Sequence, residues 1–194
     1  STGMATISEI NDAVTVARDS GCKDLILLKC TSTYPATPEN SNVLTIPHMR
    51  ELFGCEVGIS DHTMGVGASI AAVSHGATVI EKHFTLSRSD GGVDSAFSLE
   101  PHELELLVVE TDRAWRSLGR VVYGSTNSEE KSKFFRRSLY ISSDVVSGDI
   151  LTENNLRIVR PGMGLEPKYY DMCIGRKVNR DLKKGTALSW EFFA

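Results

Sequence analysis

Two histidines and a glutamate stand where short apolar runs of the sequence end. His62 follows the run Glu56–Ser60, while Glu81 and His83 lie in the next such run. Because alternate residues of a strand share a face, Glu81 and His83 point to one side and Lys82 to the other. Two imidazoles on neighbouring strand ends can converge and hold a divalent cation together with water and substrate. Histidines that are only hydrogen-bonded, with no metal, are the alternative.

Other polar side chains follow the same strand ends and are candidates for contact with a small molecule. A glycine-rich loop after the third apolar run, Gly91–Ser95, could close on a ligand, and Asp94 in it could accept hydrogen bonds from sugar hydroxyls. A plain surface turn is the alternative for this loop. The further candidates are the side chains Ser1, Ser32, Tyr34 and Ser60.

A parallel sheet is needed to bring these residues together. The predicted strands are 24–30, 56–60 and 78–84, and the predicted helices are 6–18, 46–53, 65–75 and 99–118. This alternation is typical of βαβ units, in which function sits at the carboxyl ends of the strands. A closed eight-stranded barrel needs about 250 residues. Three units therefore predict the C-terminal part of a TIM barrel, with a small open sheet as the alternative.

The sequence changes character after the last predicted helix. We predict a barrel part over 1–118, a polar linker over 119–133 and a small β-rich domain over 134–194. The last of these holds a weak internal repeat, Asp144–Leu151 and Asp181–Leu188, each with a glycine suited to a positive φ in a turn. Two copies of one turn motif indicate a pseudo-symmetric domain.

Composition excludes several classes of protein. With 41% hydrophobic and 24% charged residues, the chain is neither disordered nor collagen-like. It lacks the roughly 18 consecutive apolar residues of a membrane span and the dense basic stripe of a nucleic-acid binder.

The cysteines and the charge distribution give two further predictions. Four cysteines without a C-x-x-C pair, and no visible secretory signal, predict free thiols in a reducing, cytoplasmic setting. Acidic residues dominate the first 119 positions and basic ones the rest, which indicates two units.

Several stretches of the sequence, taken in order, resemble the sialic acid synthase family. The stretches are STGM (1–4), KCTSTYPATPENSN (29–42), GISDHTMG (58–65), ATVIEKHFTLSR (77–88), GGVDSAFSLEP (91–101), FRRSLY (135–140) and RPGMG (160–164). The last two are similar to the family's C-terminal SAF, or antifreeze-like, domain. The resemblance is greatest to the pseudaminic acid synthase branch, which includes spore-coat polysaccharide relatives.

The resemblance implies both a fold and a reaction. The fold is α/β, the C-terminal part of a TIM (β/α)₈ barrel followed by a small β-clip SAF domain. The reaction condenses phosphoenolpyruvate with an N-acetylated amino sugar and releases phosphate by C–O cleavage. In this branch the sugar is 2,4-diacetamido-2,4,6-trideoxy-altrose and the product pseudaminic acid. The alternatives are an N-acetylneuraminate synthase using N-acetylmannosamine, a synthase of another ulosonic acid, and a non-catalytic carbohydrate- or ice-binding module.

The resemblance also assigns roles to the candidate residues. It implies that His62 and His83 bind Mn²⁺ or Mg²⁺ and that Glu81 is an active-site acid near the reacting carbons. The positions matching those that hold phosphoenolpyruvate are Ser1, Ser32 and Ser60. The family also uses side chains from early barrel strands, so we expect the 194-residue chain to be inactive by itself.

The sugar site implied by the resemblance draws on two subunits. Tyr34 and Asp94 match sugar contacts in the barrel part. Phe134 and Arg160 of the partner subunit would close over the sugar in a domain-swapped homodimer. The resemblance implies no nucleic-acid or membrane partner.

Overall fold

The computed structural model describes residues 1–194 and divides them into two compact units, Ser1–Arg120 and Val121–Ala194. The first unit contains α1 (Ile7–Asp19), β1 (Ile26–Cys30), α2 (Thr45–Phe53), β2 (Glu56–Asp61), α3 (Gly67–Ser74), β3 (Ile80–Lys82) and α4 (Pro101–Leu118). The second contains β4 (Ser138–Ile141), β5 (Leu156–Val159) and the short helix α5 (Tyr170–Cys173). None of these helices combines the length and the apolar character that a membrane span requires. The predicted boundaries at 118 and 134 stay a prediction.

The three strands of the first unit form a parallel sheet in the order β1-β2-β3. In its register Cys30 lies beside Ser60, Ser60 beside Glu81, and Asp61 beside Lys82. The carboxyl ends of all three strands therefore meet at one edge, where the sequence places its polar candidates.

One face of this sheet packs against helices and forms the core of the first unit. The core residues include Val14 of α1, Ile46 of α2, Val57 and Ile59 of β2, and Ala72 of α3. Each large apolar side chain buried in this way stabilises the fold by about 1.5–3 kcal/mol. Because side chains alternate along a strand, Ser60 lies on the opposite face from Ile59.

Close packing of β2 and β3 depends on a glycine. A Cβ atom at Gly58 would lie 2.2 Å from the carbonyl oxygen of Val79 and 2.7 Å from the Leu28 side chain. Only a residue without a side chain fits between these neighbours.

The helices of the first unit follow their sequence signals. The predicted start of α1 is confirmed, because Thr6 and Glu9 form a reciprocal capping box there. β3 is shorter than the predicted strand 78–84. The chain leaves the sheet after Lys82, because the carbonyl of His83 accepts a hydrogen bond from the Leu99 backbone at 2.8 Å. The backbone after β3 thus pairs with the segment that leads into α4.

The predicted repeat of the second unit is confirmed as a pseudo-twofold arrangement. Val145 and Leu182 hold equivalent places in the two copies and exchange both backbone hydrogen bonds, each 2.9 Å long. The Asp144 carboxylate accepts from the Lys184 backbone, and the Asp181 carboxylate accepts from the Ser147 backbone, at 2.8 Å each. The turn glycines of the two copies match as well: Gly148 has φ 90° and Gly185 has φ 89°.

Candidate active site

Four of the candidate side chains line one cleft at the carboxyl edge of the sheet. The cleft has a volume of about 260 Å³, and its lining includes Ser60, His62, Glu81 and His83. The structure thus brings together side chains that are about twenty residues apart in the sequence.

Glu81 lies exposed in this cleft and is held by a neighbour on β2. The Ser60 hydroxyl donates a 2.7 Å hydrogen bond to the Glu81 carboxylate. The Glu81 side chain faces the open side of the sheet. The serine leaves further lone pairs of the carboxylate free to accept protons or hydrogen bonds.

His62 is 7% exposed, and its ring orientation is fixed from behind. Nδ1 lies 3.0 Å from the Thr31 carbonyl oxygen, an acceptor only, so this nitrogen carries the hydrogen. In the neutral ring, Nε2 is then the nitrogen that can act as a ligand. The hydrogen bond from Nδ1 fixes the ring orientation in which Nε2 could ligate a metal.

His83 stands beside His62 at the edge of the cleft. The two ring centroids are 5.2 Å apart, and the His83 side chain is half-buried. Asp94 approaches from the loop after β3, with a carboxylate oxygen 3.6 Å from His83 Nδ1. That separation exceeds a hydrogen bond but brings a negative charge to the histidine pair.

Aromatic rings enclose one side of the histidine pair. The Tyr34 ring lies 4.4 Å from that of His62 and 6.0 Å from that of His83, measured between centroids. Phe97 packs at 5.0 Å from His83 and is 6% exposed. Sequence reasoning missed Phe97, and the only signal for it was an apolar residue within a polar, glycine-rich stretch.

The serines predicted to hold phosphoenolpyruvate gather around the thiol of Cys30. Burial raises the pKa of this thiol, but the hydroxyls of Ser1, Ser32 and Ser60 outweigh burial, so the pKa lies below its ordinary value. The Ser32 hydroxyl is 3.6 Å from the sulfur, and His62 Nδ1 is 3.9 Å from it. Cys30 is buried and lies beside Ser32 and His62.

A buried ion pair lies on the other face of the sheet, behind the histidines. Lys82 Nζ is 2.9 Å from the Asp61 carboxylate, and the side chains are 3% and 1% exposed. Burial raises the pKa of Asp61, but hydrogen bonds from Ser69 and Lys82 more than offset this and hold the pKa below its usual value. Asp61 is therefore charged at neutral pH.

The two candidates in the second unit lie close in its fold. The Gly162 backbone donates a 2.8 Å hydrogen bond to the Phe134 carbonyl, which places Phe134 against the loop that begins with Arg160. Ser138 fixes this loop by donating to the Pro161 carbonyl at 2.8 Å. The Phe134 side chain is exposed.

A second group of potential metal ligands lies at the start of α4. Ligand atoms of Glu100, His102 and Glu103 are all within 4.8 Å of one another. Arg88 forms ion pairs with both carboxylates, and the backbone of Glu100 donates to Glu103. These acids therefore serve the helix cap and neutralise an arginine.

Comparison with known proteins assigns both parts of the chain to known families. Residues 1–123 match the NeuB family, and residues 136–194 match the SAF domain. The chain belongs to the NeuB family. The predicted fold class, part of a TIM barrel followed by a SAF domain, is thereby confirmed.

Named NeuB-family relatives share most of this chain but extend beyond it. Pseudaminic acid synthase of Campylobacter jejuni is 41% identical over 188 residues, which are 97% of this chain and 55% of that protein. The structure of the spore coat protein SpsE from Bacillus subtilis matches with 30% identity and a TM-score of 0.57, covering 98% and 59% of the two chains. N-acetylneuraminic acid synthetase of Leptospira borgpetersenii matches with 36% identity and a TM-score of 0.61, over 67% and 45%. The chain spans about half the length of the curated relatives it matches.

Proposed function

We propose that this chain carries the histidine and glutamate part of the active site of a nonulosonic acid synthase. Such an enzyme condenses phosphoenolpyruvate with an N-acetylated amino sugar and releases phosphate. The single observation that carries the proposal is the convergence of His62, Glu81 and His83 in one cleft of a NeuB-family chain. A pure carbohydrate-binding module has no need of this combination.

The histidine pair suits a divalent metal such as Mn²⁺ or Mg²⁺. His62 directs a free Nε2 lone pair away from Thr31, and the His83 ring stands 5.2 Å away with part of its surface open. Two imidazoles with open positions for water and substrate are a suitable donor set. When bound there, the metal would act as a Lewis acid that polarises the aldehyde of the open-chain sugar.

In this proposal the residues of the chain bind and orient phosphoenolpyruvate and accept a proton. The hydroxyls of Ser1, Ser32 and Ser60 form the group that would hold phosphoenolpyruvate beside Glu81. The enol carbon attacks the aldehyde carbon, the aldehyde oxygen takes up a proton and becomes a hydroxyl, and water adds at the former C2 of phosphoenolpyruvate. Glu81 would be the base that accepts a proton of this water, and its hydrogen bond from Ser60 supports this role by fixing the carboxylate. The tetrahedral intermediate then expels phosphate by C–O cleavage.

The sugar would bind over the aromatic side of the cleft. Tyr34 offers a ring and a hydroxyl, and Asp94 offers a carboxylate for sugar hydroxyls next to His83. The proposal includes a domain-swapped homodimer, in which Phe134 and Arg160 of the partner subunit close over the sugar. The exposure of the Phe134 side chain supports this role.

We propose 2,4-diacetamido-2,4,6-trideoxy-altrose as the sugar, with pseudaminic acid as the product. The 41% identity to the C. jejuni pseudaminic acid synthase supports this choice. N-acetylmannosamine is the second candidate, because a structure that matches at 36% identity is an N-acetylneuraminic acid synthetase. We further propose that the 194 residues alone do not turn over, since relatives extend well beyond them.

Product analysis tests the proposal. The longest natural form of the protein is incubated with phosphoenolpyruvate, Mn²⁺ and each sugar in turn, with EDTA as the control, and products are identified by mass spectrometry. We expect a nonulosonic acid from the diacetamido sugar and none with EDTA. A product from N-acetylmannosamine alone would change the substrate and keep the reaction. No product from either sugar, in a folded protein, would contradict the proposal.

A further inference from the structure

The buried ion pair joins the residues that immediately precede the two histidines. Asp61 comes directly before His62, and Lys82 directly before His83. Asp61 and Lys82 are paired in the register of the sheet, and this is the last residue pair of the β2-β3 ladder. The ion pair is thus the final link of that ladder before the chain reaches the histidines.

The same two side chains also hold the backbone of Thr63, the residue after His62. Lys82 Nζ donates to the Thr63 carbonyl at 2.6 Å as well as to Asp61 at 2.9 Å. The Asp61 carboxylate accepts from the Thr63 backbone at 2.8 Å and from the Ser69 hydroxyl of α3 at 2.7 Å. His62 therefore sits in a short segment that is bonded before and after it.

A stability role alone does not explain this arrangement. Burying two charges costs several kcal/mol, and replacing such a pair by apolar residues of similar size is often neutral or stabilising. What an ion pair offers, and an apolar contact does not, is directed bonds of fixed geometry. Here those bonds tie the two strand ends that carry the histidines.

We propose that Asp61 and Lys82 are positioning residues that set the separation of His62 and His83, so that metal binding at the histidine pair depends on them. This inference rests on the metal site of the proposed function. Groups that orient ligands from behind a metal typically change its affinity 10- to 100-fold.

The decisive variant removes both charges together, Asp61→Leu with Lys82→Met, and leaves no unpaired buried charge. Mn²⁺ affinity is measured by titration in the longest natural form of the protein, and thermal unfolding is recorded alongside. We expect a folded protein whose Tm is lowered, because Thr63 and Ser69 lose hydrogen-bond partners, and whose Mn²⁺ Kd is raised about 10- to 100-fold. A matched control, Asp144→Leu with Lys183→Met, removes an exposed ion pair of the second unit and should leave Kd unchanged. A folded double variant with an unaltered Kd would overturn the proposal.

A second variant covers the case in which the double variant does not fold. Lys82→Arg keeps the charge and changes its reach and shape, so we expect a folded protein with a Kd raised several-fold. An unchanged Kd in Lys82→Arg would count against positioning.

A crystal structure separates failure of this inference from failure of the metal site. If the wild type binds no Mn²⁺, the proposed metal site fails. The positioning inference is then decided by the distance between the His62 and His83 rings in a crystal structure of the double variant. If the double variant does not fold, the structure of Lys82→Arg is used instead. A changed distance supports positioning, and an unchanged distance overturns it.

Discussion

At the scale of single residues, a hydrogen bond decides which nitrogen of His62 can take a cation. The Thr31 carbonyl occupies Nδ1, so Nε2 is left for a ligand. Glu81 is held in a comparable way by the Ser60 hydroxyl, which fixes one carboxylate oxygen without neutralising the acid. Both functional groups of the cleft are thus oriented by uncharged neighbours.

Removing the His62 imidazole tests this assignment. We expect His62→Ala to weaken Mn²⁺ binding by about 100-fold or more, because one of two nitrogen ligands is lost. His75→Ala is the matched control, since His75 is exposed at the end of α3 and should leave affinity unchanged. Titration of free Mn²⁺ by electron paramagnetic resonance measures both. Equal affinities in the two variants would contradict the assignment.

Strand alternation explains how much of the site could be predicted from the sequence. Glu81 and His83 are two residues apart, so their shared face follows from the period of a strand. The Asp61–Lys82 pair could not be predicted, because it depends on the register of two strands. Phe97 could not be predicted either, because its contact with His83 depends on how an irregular loop folds back.

At the scale of elements, the cleft depends on how tightly β2 and β3 approach each other. The ladder between them is short, ending at Asp61 and Lys82, and the neighbouring Val79 carbonyl packs directly over Gly58. Helix periodicity predicted α1, α2 and α4 well. The shortened β3 was not predictable, because its chain leaves the sheet to pair with Leu99, a partner that local sequence does not reveal.

Because the backbone approaches Gly58 closely, we predict that any side chain at this position strongly destabilises the fold. Gly58→Ala should lower the free energy of unfolding by about 3 kcal/mol, since backbone atoms would have to move apart. Gly67→Ala is the control, because nothing lies within 4 Å of a Cβ there and the residue is helical. Denaturant unfolding compares the two. A Gly58→Ala protein as stable as Gly67→Ala would contradict the packing described.

The start of α4 gives a prediction that depends on pH. The backbone N–H of Glu100 and then the charge of Arg88 hold the pKa of Glu103 below its ordinary value. A lowered pKa contributes stability above the unfolded value of about 4.3, and this stability is lost as pH falls through the folded value. Glu103→Ala should therefore lower the free energy of unfolding by about 1 kcal/mol at neutral pH, and by less as pH falls below about 4.

The control for this helix start is Glu105→Ala. Glu105 is exposed on α4, and its side chain forms no hydrogen bond or ion pair, so its replacement should be nearly neutral at every pH. Unfolding measured across the pH range decides the matter. A cost for Glu103→Ala that stays constant with pH would show that its charge plays no part.

At the scale of the whole molecule, the chain combines two units with separate cores. Two features of the sequence predicted two units. One is the change from mainly acidic to mainly basic residues after position 119, and the other is the internal repeat in the second unit. The crossed bonds of Asp144 and Asp181 could not be read from either repeat alone. They arise only when the two copies face each other about a pseudo-twofold axis.

The second unit should fold without the first. Its core is internal, with Leu139, Leu151, Leu156 and Leu188 at most 1% exposed. We expect residues 121–194, expressed alone, to give a dispersed NMR spectrum and a cooperative thermal transition. A collapsed spectrum without a transition would show that this unit depends on residues outside itself.

The most direct test of the account is phosphate release from phosphoenolpyruvate by the longest natural form of the protein. With the diacetamido sugar and Mn²⁺, we predict release that EDTA stops and that Glu81→Gln reduces at least about 100-fold, while Glu105→Gln leaves it unchanged. Release that needs no sugar, or that Glu81→Gln leaves intact, would contradict the claim that this cleft performs the condensation.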